Sequence, residues 1–223
     1  MDFNNDGKKD LISGDTKGQV WFFNNIGTDE APVLAKGVRI ESDGDPIVGV
    51  DRAYKNGKRL SKPTKLMGIY SKIDIADYND DGLVDILIGH TSPAGHDVVV
   101  YRNTGTKTEP KFAKPEPLEL PEPKMSRPSP FLVDWDKDGS NDLLFGTDHS
   151  VVYFFKNTGS NRNPKYDPGR KIELVGFQFD EGYRGRIDIN DWNNDGKLDL
   201  LVGNAYRINN NPTYGNVWLF LAE

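Results

Sequence analysis

With 223 residues, 36% of them hydrophobic and 11% aromatic, the chain can bury a sizeable core as one or two folded domains. Its formal charge is −6, and 14 of its 34 acidic side chains fall in four short loops, so the acidity marks local sites and points to neither a nucleic-acid nor a membrane partner. No apolar run reaches the roughly 18 residues of a membrane span, no charged-then-apolar leader opens the chain, and the lack of cysteine excludes disulfides, thiolate metal sites and cysteine nucleophiles.

In chain order, the first element is an acidic loop, DFNNDGKKDLISG from Asp2, and Met1 runs straight into it, as if something preceded it. A β-branched and aromatic run, Val20 to Phe23, reads as a strand and stops at Asn25-Ile26-Gly27-Thr28 with Pro32. Glycine is expected to allow a positive φ there, and proline removes a donor. An alternating outer piece, Val38-Arg39-Ile40, follows. Next comes an insertion around Asp43 to Tyr70, where Lys55, Lys58, Arg59, Lys62 and Lys65 cluster about Asn56-Gly57, a strong hairpin turn. Lys58 and Arg59 are candidate contacts for an acidic polysaccharide or another subunit, against the plainer reading of a solvated loop.

The second unit opens on the alternating stretch Lys72-Ile73-Asp74-Ile75-Ala76, then the loop DYNDDGLVDILIG from Asp77 with the apolar run Ile86 to Ile88. His90 and His96 flank a hairpin before the strand Val98 to Tyr101. Asn103-Thr104-Gly105-Thr106 with Pro110 repeats the stop, and Leu118-Glu119-Leu120 repeats the outer piece. The Pro, Glu and Lys-rich stretch Lys114 to Pro130 coincides with that outer piece and is read as part of the fold rather than a linker.

The third unit carries DWDKDGSNDLLFG from Asp134, the run Leu143 to Phe145, His149, the strand Val151 to Phe155, Asn157-Thr158-Gly159-Ser160 with Pro164, and Ile172-Glu173-Leu174. The fourth carries Arg186-Ile187-Asp188-Ile189-Asn190, DWNNDGKLDLLVG from Asp191, the run Leu200 to Val202, a long hairpin Asn204 to Gly215, and Val217 to Phe220. Tyr206, Arg207, Tyr214 and three asparagines from Asn209 give that hairpin the aromatic and amide mix of sugar-binding surfaces, or of a solvated tip.

The loops start 75, 57 and 57 residues apart, at Asp2, Asp77, Asp134 and Asp191. A period this long, filled by short strands without helical periodicity, predicts an all-β fold of β-propeller blades with four antiparallel strands each. The expected units are residues 1–70, 71–127, 128–184 and 185–223 of a single propeller region. The first is expected to lack the strand before its loop and the last its fourth strand. Open edges invite pairing, so the four units are expected to be the C-terminal part of a larger propeller or to be completed by another chain.

These loops and the Asn-x-Gly turns resemble the FG-GAP or VCBS-type repeat family, whose propeller blades carry calcium loops, as in the integrin alpha-chain head and many secreted bacterial proteins. The resemblance covers nearly the whole chain. Independently of it, calcium takes six to eight oxygens, which acids or amides at positions 1, 3, 5 and 9 and the carbonyl at position 7 supply, with a glycine at position 6 for the turn. The candidate ligands are Asp2, Asn4, Asp6, Lys8 and Asp10; Asp77, Asn79, Asp81, Leu83 and Asp85; Asp134, Asp136, Asp138, Ser140 and Asp142; and Asp191, Asn193, Asp195, Lys197 and Asp199. Three to four calcium ions are expected. An EF-hand would need a glutamate at position 12 between helices, where this chain has Ser13, Ile88, Phe145 and Val202, and magnesium demands a stricter octahedron.

Crowded carboxylates repel until a cation arrives, so the ions are expected to staple the turns rather than to catalyse. Candidates for catalysis are few. His90, His96 and His149 lack metal-ligand spacing, and His90 and His149 are candidates for a shared pocket only if they sit at equivalent rims. The leading expectation is a noncatalytic, extracytoplasmic domain, extracellular, periplasmic or on the cell surface, for adhesion, carbohydrate binding or scaffolding towards a protein or glycan. The alternatives are a propeller of a polysaccharide lyase or hydrolase, and a structural subunit of a larger complex. The chain is not expected to bind nucleic acid or insert into a membrane.

Overall fold

β-branched and aromatic segments alternate with tight acidic turns along the whole chain, and the computed structural model turns this pattern into antiparallel sheets. It describes residues 1–47, 54–55, 58–59, 69–91, 98–149, 151–175, 182–207 and 213–222. The chain divides into two compact units, Met1–Glu119 and Leu120–Glu223. Among the described residues no helix is long and apolar enough to cross a membrane.

In the first unit, β1 (Leu11–Gly14), β2 (Val20–Phe23) and β3 (Val38–Arg39) form a three-stranded sheet. Two small hairpins follow: β4 (Glu41–Ser42) with β5 (Asp45–Pro46), and β6 (Tyr54–Lys55) with β7 (Lys58–Arg59). Tyr54 pairs with Arg59 and Lys55 with Lys58, the two-residue hairpin that Asn56-Gly57 predicts. Residues 56–57, Lys62 and Lys65 lie outside the described residues, as do the side chains of Lys55, Lys58 and Arg59. A second sheet runs in the order β11-β10-β9-β8, from β8 (Ile69–Ala76), β9 (Asp85–Thr91), β10 (Val98–Tyr101) and β11 (Glu116–Pro117).

The second unit repeats the plan with β12 (Ser129–Val133), β13 (Asp142–Gly146), β14 (Val152–Phe155) and β15 (Arg170–Lys171) in one sheet, and β16 (Gly182–Asn190), β17 (Asp199–Arg207) and β18 (Thr213–Phe220) in another. The fold is therefore all-β, built of propeller-type blades of three, four, four and three strands among the described residues. In each unit the glycine that ends one blade's second strand meets the first strand of the next blade. A Cβ on Gly14 would lie 2.4 Å from the Ser71 carbonyl oxygen, and one on Gly146 would lie 2.9 Å from that of Gly185. Backbone bonds seal both junctions: Ser71 N–H donates to Asp15, and Gly185 N–H to Thr147.

The apolar runs Ile86 to Ile88 and Leu143 to Phe145 are fully buried, as their composition predicts, whereas Leu201 in β17 is only half-buried. Phe3, Val20, Ile86, Ile88, Val99 and Phe112 belong to the core of the first unit. Leu144, Val152, Phe154, Ile189, Leu200 and Val202 form that of the second.

Two expectations need correction. The outer strands β11 and β15 lie two residues before the alternating pieces Leu118 to Leu120 and Ile172 to Leu174. Leu118 and Ile172 then extend them by donating to the Val98 and Val152 carbonyls, as Ile40 does to Val20. Side-chain alternation is a weak guide here, because only two residues pair and the turn before them sets the register. The glycines of the Asn-x-Gly turns do not adopt positive φ. They are needed for close approach: a Cβ on Gly27, Gly105 or Gly159 would come within 2.4 Å of a backbone oxygen of Ala31, Glu109 or Asn163.

Candidate metal centres

Each acidic loop joins the first strand of a blade to its second, and all four close in the same way. The backbone turns at position 6 through Gly7, Gly82, Gly139 and Gly196, with φ from 84° to 91°. Position 4 is also left-handed, at Asn5, Asp80, Lys137 and Asn194. Asparagine and aspartate tolerate that region, whereas Lys137 has no such side-chain advantage. The carboxylate at position 1 spans the turn. Asp2, Asp77, Asp134 and Asp191 each accept from the position-5 N–H at 3.0 Å and from the glycine N–H at 2.8–3.0 Å. Asp6, Asp81, Asp138 and Asp195 accept in turn from the N–H of Lys8, Leu83, Ser140 and Lys197. In loops 1, 2 and 4 the amide of Asn4, Asn79 or Asn193 donates to that same aspartate at 2.9–3.1 Å.

The aspartate at position 9 lies deeper, and Asp85, Asp142 and Asp199 are fully buried. One oxygen accepts from the position-2 N–H of Phe3, Tyr78, Trp135 or Trp192 at 2.8–3.1 Å. The other accepts from the N–H of the second residue after the third strand, Asn25, Asn103, Asn157 or Ala222, at 2.7–2.9 Å. This aspartate thus ties the loop to the far side of the blade. A carboxylate has about four lone-pair sites, so each oxygen keeps one for a cation. Burial pushes the Asp85 carboxyl up to about 6 against the pull of the Asn103 and Tyr78 N–H groups, and the charges of Asp81 and Asp77 add to the rise. Burial likewise raises Asp142. These hard oxygen donors, crowded and partly desolvated, fit a divalent calcium ion. Asp134, Asp136 and Asp138 bring one oxygen each within 4.8 Å of one another.

The asparagines that stop the third strands do more than the sequence suggests. Asn25, Asn103 and Asn157 are buried, and their side-chain oxygens accept from the turn glycine (Gly27, Gly105, Gly159) and from Val33, Lys111 or Lys165 eight residues on. Their own N–H groups hold the position-9 aspartate, so loop and turn form one unit. Asn-x-Gly was the available signal, but its partner lies 15 to 18 residues away.

The other candidates do not converge. His90 is fully buried on β9, whereas His149 is exposed in the turn after β13. They are not equivalent in the repeat, for the residue matching His90 after the strand-ending glycine is Thr147. His96 and residues 208–212 lie outside the described residues. Tyr206 pairs with Tyr214 and Arg207 with Thr213 along β17 and β18, which extends the predicted hairpin, while their side chains are not described. A cleft of about 930 Å³ in the first unit, lined by Phe3, Phe22, Arg39, Ile40, Phe112 and Lys114, had no signature in the sequence.

The family described as FG-GAP-like repeat matches residues 77–145 and 134–202, together more than half of the chain. No curated protein matches. Among solved structures, the Tc holotoxin pore of Photorhabdus luminescens (mutant TccC3-D651A) resembles the chain at a TM-score of 0.45 and 16% identity. That likeness covers 94% of this chain and 8% of that one.

Proposed function

The chain belongs to the FG-GAP-like repeat family, and from that premise we propose that it is a calcium-stabilised, noncatalytic propeller region serving outside the cytoplasm as a binding, adhesion or scaffold domain for a protein or glycan. The observation that carries this reading is the fourfold repetition of the same loop turn. Each gathers side-chain oxygens from positions 1, 3 and 5 around a left-handed glycine and anchors position 9 in the blade.

In this reading Asp2, Asn4, Asp6 and Asp10, with their counterparts in the other loops and the position-7 carbonyls, hold the ions. Calcium bound there supplies positive charge that relieves repulsion among the carboxylates. The protein's own residues do the rest: position 9 couples the first three loops to the asparagine turn and the fourth to Ala222, so a filled loop stiffens its blade. An extracytoplasmic setting suits such sites, because weak calcium sites fill where the ion is millimolar. A scaffold role is further supported by β18, where Val217, Trp218 and Leu219 are exposed.

Melting of the full chain with millimolar calcium and with excess EDTA tests the proposal. The chelator is expected to lower the melting temperature by about 20 °C or more, given ~2.7 kcal/mol for each of three to four sites held at 100 times its Kd and roughly 2–4 °C per kcal/mol for a chain of this size. An unchanged melting temperature overturns it. The binding role is checked on a glycan array together with a turnover assay on uronic-acid polymers, where retention without cleavage is expected.

A further inference from the structure

The third loop departs from the other three in two residues at once, and the two compensate. Position 3 is Asn4, Asn79 and Asn193 in the other loops but Asp136 here. The residue directly after the third strand is Asn24 in the first blade, Arg102 in the second and Leu221 in the fourth, but Lys156 in the third. Asn24 meets its loop through an amide contact to Asn4 at 3.2 Å. Arg102 turns away to Glu116 at 3.1 Å and lies over the Tyr78 ring. Lys156 instead reaches into its loop, bonding Asp136 and lying 2.8 Å from Asp138. The nearby Lys137 does not share this role, since its ammonium donates to the Gly196 carbonyl of loop 4.

We infer that Lys156 is the resident cation of the third loop, which therefore keeps its shape without calcium and takes the ion about ten-fold more weakly than its counterparts. The inference rests on the calcium reading above and refines it. Counted over the side chains at positions 1, 3, 5 and 9, the extra aspartate and the added lysine cancel, so the ligand set of loop 3 together with Lys156 carries the same net charge as the ligand sets of the other loops. What differs is access to the ligand atoms. An ammonium with three donors already occupies oxygens of Asp136 and Asp138, two of the four carboxylates of the ligand set and two of the three whose oxygens lie within 4.8 Å of one another. Calcium must displace that side chain and then tolerate a like charge tethered beside it. In loops 1, 2 and 4 the same role falls to a neutral amide that carries no positive charge, and the repulsion among their carboxylates is left for an external cation.

Calorimetric titration of EDTA-stripped full chain with calcium tests the inference in the wild type and in Asp77→Asn, Asp134→Asn, Asp191→Asn, Lys156→Met and Lys156→Asn, the last placing in loop 3 the residue found in loop 1. Asp77→Asn and Asp191→Asn should each remove one tight site and Asp134→Asn none. Either Lys156 variant should bind one more tight ion than the wild type. Melting in EDTA gives a second readout: the Lys156 variants should melt lower than wild type, and calcium should restore them. If Asp134→Asn removes a site as tight as that lost in Asp191→Asn, or the Lys156 variants titrate like wild type, the inference is wrong while the calcium reading stands. If no variant takes calcium at all, both fall.

Discussion

The two third strands of the second unit read almost alike, VYFF from Val152 to Phe155 and VWLF from Val217 to Phe220, but they meet different surroundings. Val152, Phe154 and Phe155 are buried, whereas Val217 is 71% exposed and Leu219 47%. The difference lies in the neighbours. β14 pairs on both sides, with β13 and β15, while β18 pairs among the described residues with β17 alone. Beyond β14, Gly169 stands where a Cβ would come within 2.4 Å of the Phe155 ring, and Phe145 meets that ring edge-on at 5.5 Å. An apolar strand is therefore a promise of burial that only the rest of the blade can keep.

Four pairs of substitutions at matching places in these two blades exploit that contrast, and the largest effect belongs to the ring. Phe155→Ala should cost about 4 kcal/mol in denaturant-induced unfolding, the range of large-to-small changes in a closed core, and Phe220→Ala less than half of that. Equal losses would mean that β18 is covered in solution.

Next in size is the buried carboxylate. Asp142→Ala, measured in EDTA so that no metal enters, strips the buried Asn157 N–H and the half-buried Trp135 N–H of their acceptor and should cost about 3 kcal/mol. Asp199→Ala orphans Trp192 and the half-buried Ala222 instead and should cost about half as much. The gap should close if Ala222 is covered by a further segment.

Third is the turn. Asn157→Ala removes the oxygen that accepts from Gly159 and Lys165, an expected loss of about 2 kcal/mol. The fourth blade already has alanine at this place, Ala222, so Ala222→Asn should change stability by less than about 0.5 kcal/mol, there being no described turn for it to hold. Denaturation midpoints of both variants check this.

The four blades, the three, four, four and three strand pattern and the loops were legible because each is enforced over a short stretch: one glycine, a fixed ladder of oxygens, an apolar run. What escaped depends on residues brought together from afar. Asn157 looked like a strand terminator because its partner, Asp142, lies 15 residues back. Lys156 drew no attention in the sequence because Asp136 lies 20 residues back. The glycines of the turns were expected for their φ and are needed for space, a distinction only the position of a facing carbonyl can make. β12 was not singled out, since Pro130 breaks its pattern, yet it pairs with Phe145 in the sheet. A proline survives in a strand where its missing N–H is not needed.

The smallest predicted effect is also the cleanest comparison. Val152 pairs with Gly146 and Val217 with Gly203 at the same point of the repeat, so replacing each by threonine changes the same methyl into the same hydroxyl on the same kind of strand. Strand propensity is nearly conserved in the exchange, so burial decides the outcome. At Val152, 1% exposed, the hydroxyl must give up water, and about 1.5 kcal/mol should be lost. At Val217 the hydroxyl stays in water and the loss should stay under about 0.5 kcal/mol. The ratio of the two, read from chemical denaturation of the isolated chain, measures how open β18 is. A ligand or partner that lies over β18 should raise the cost at Val217 towards that at Val152, so repeating the pair in the presence of a binding partner reports contact at this strand without a structure of the complex.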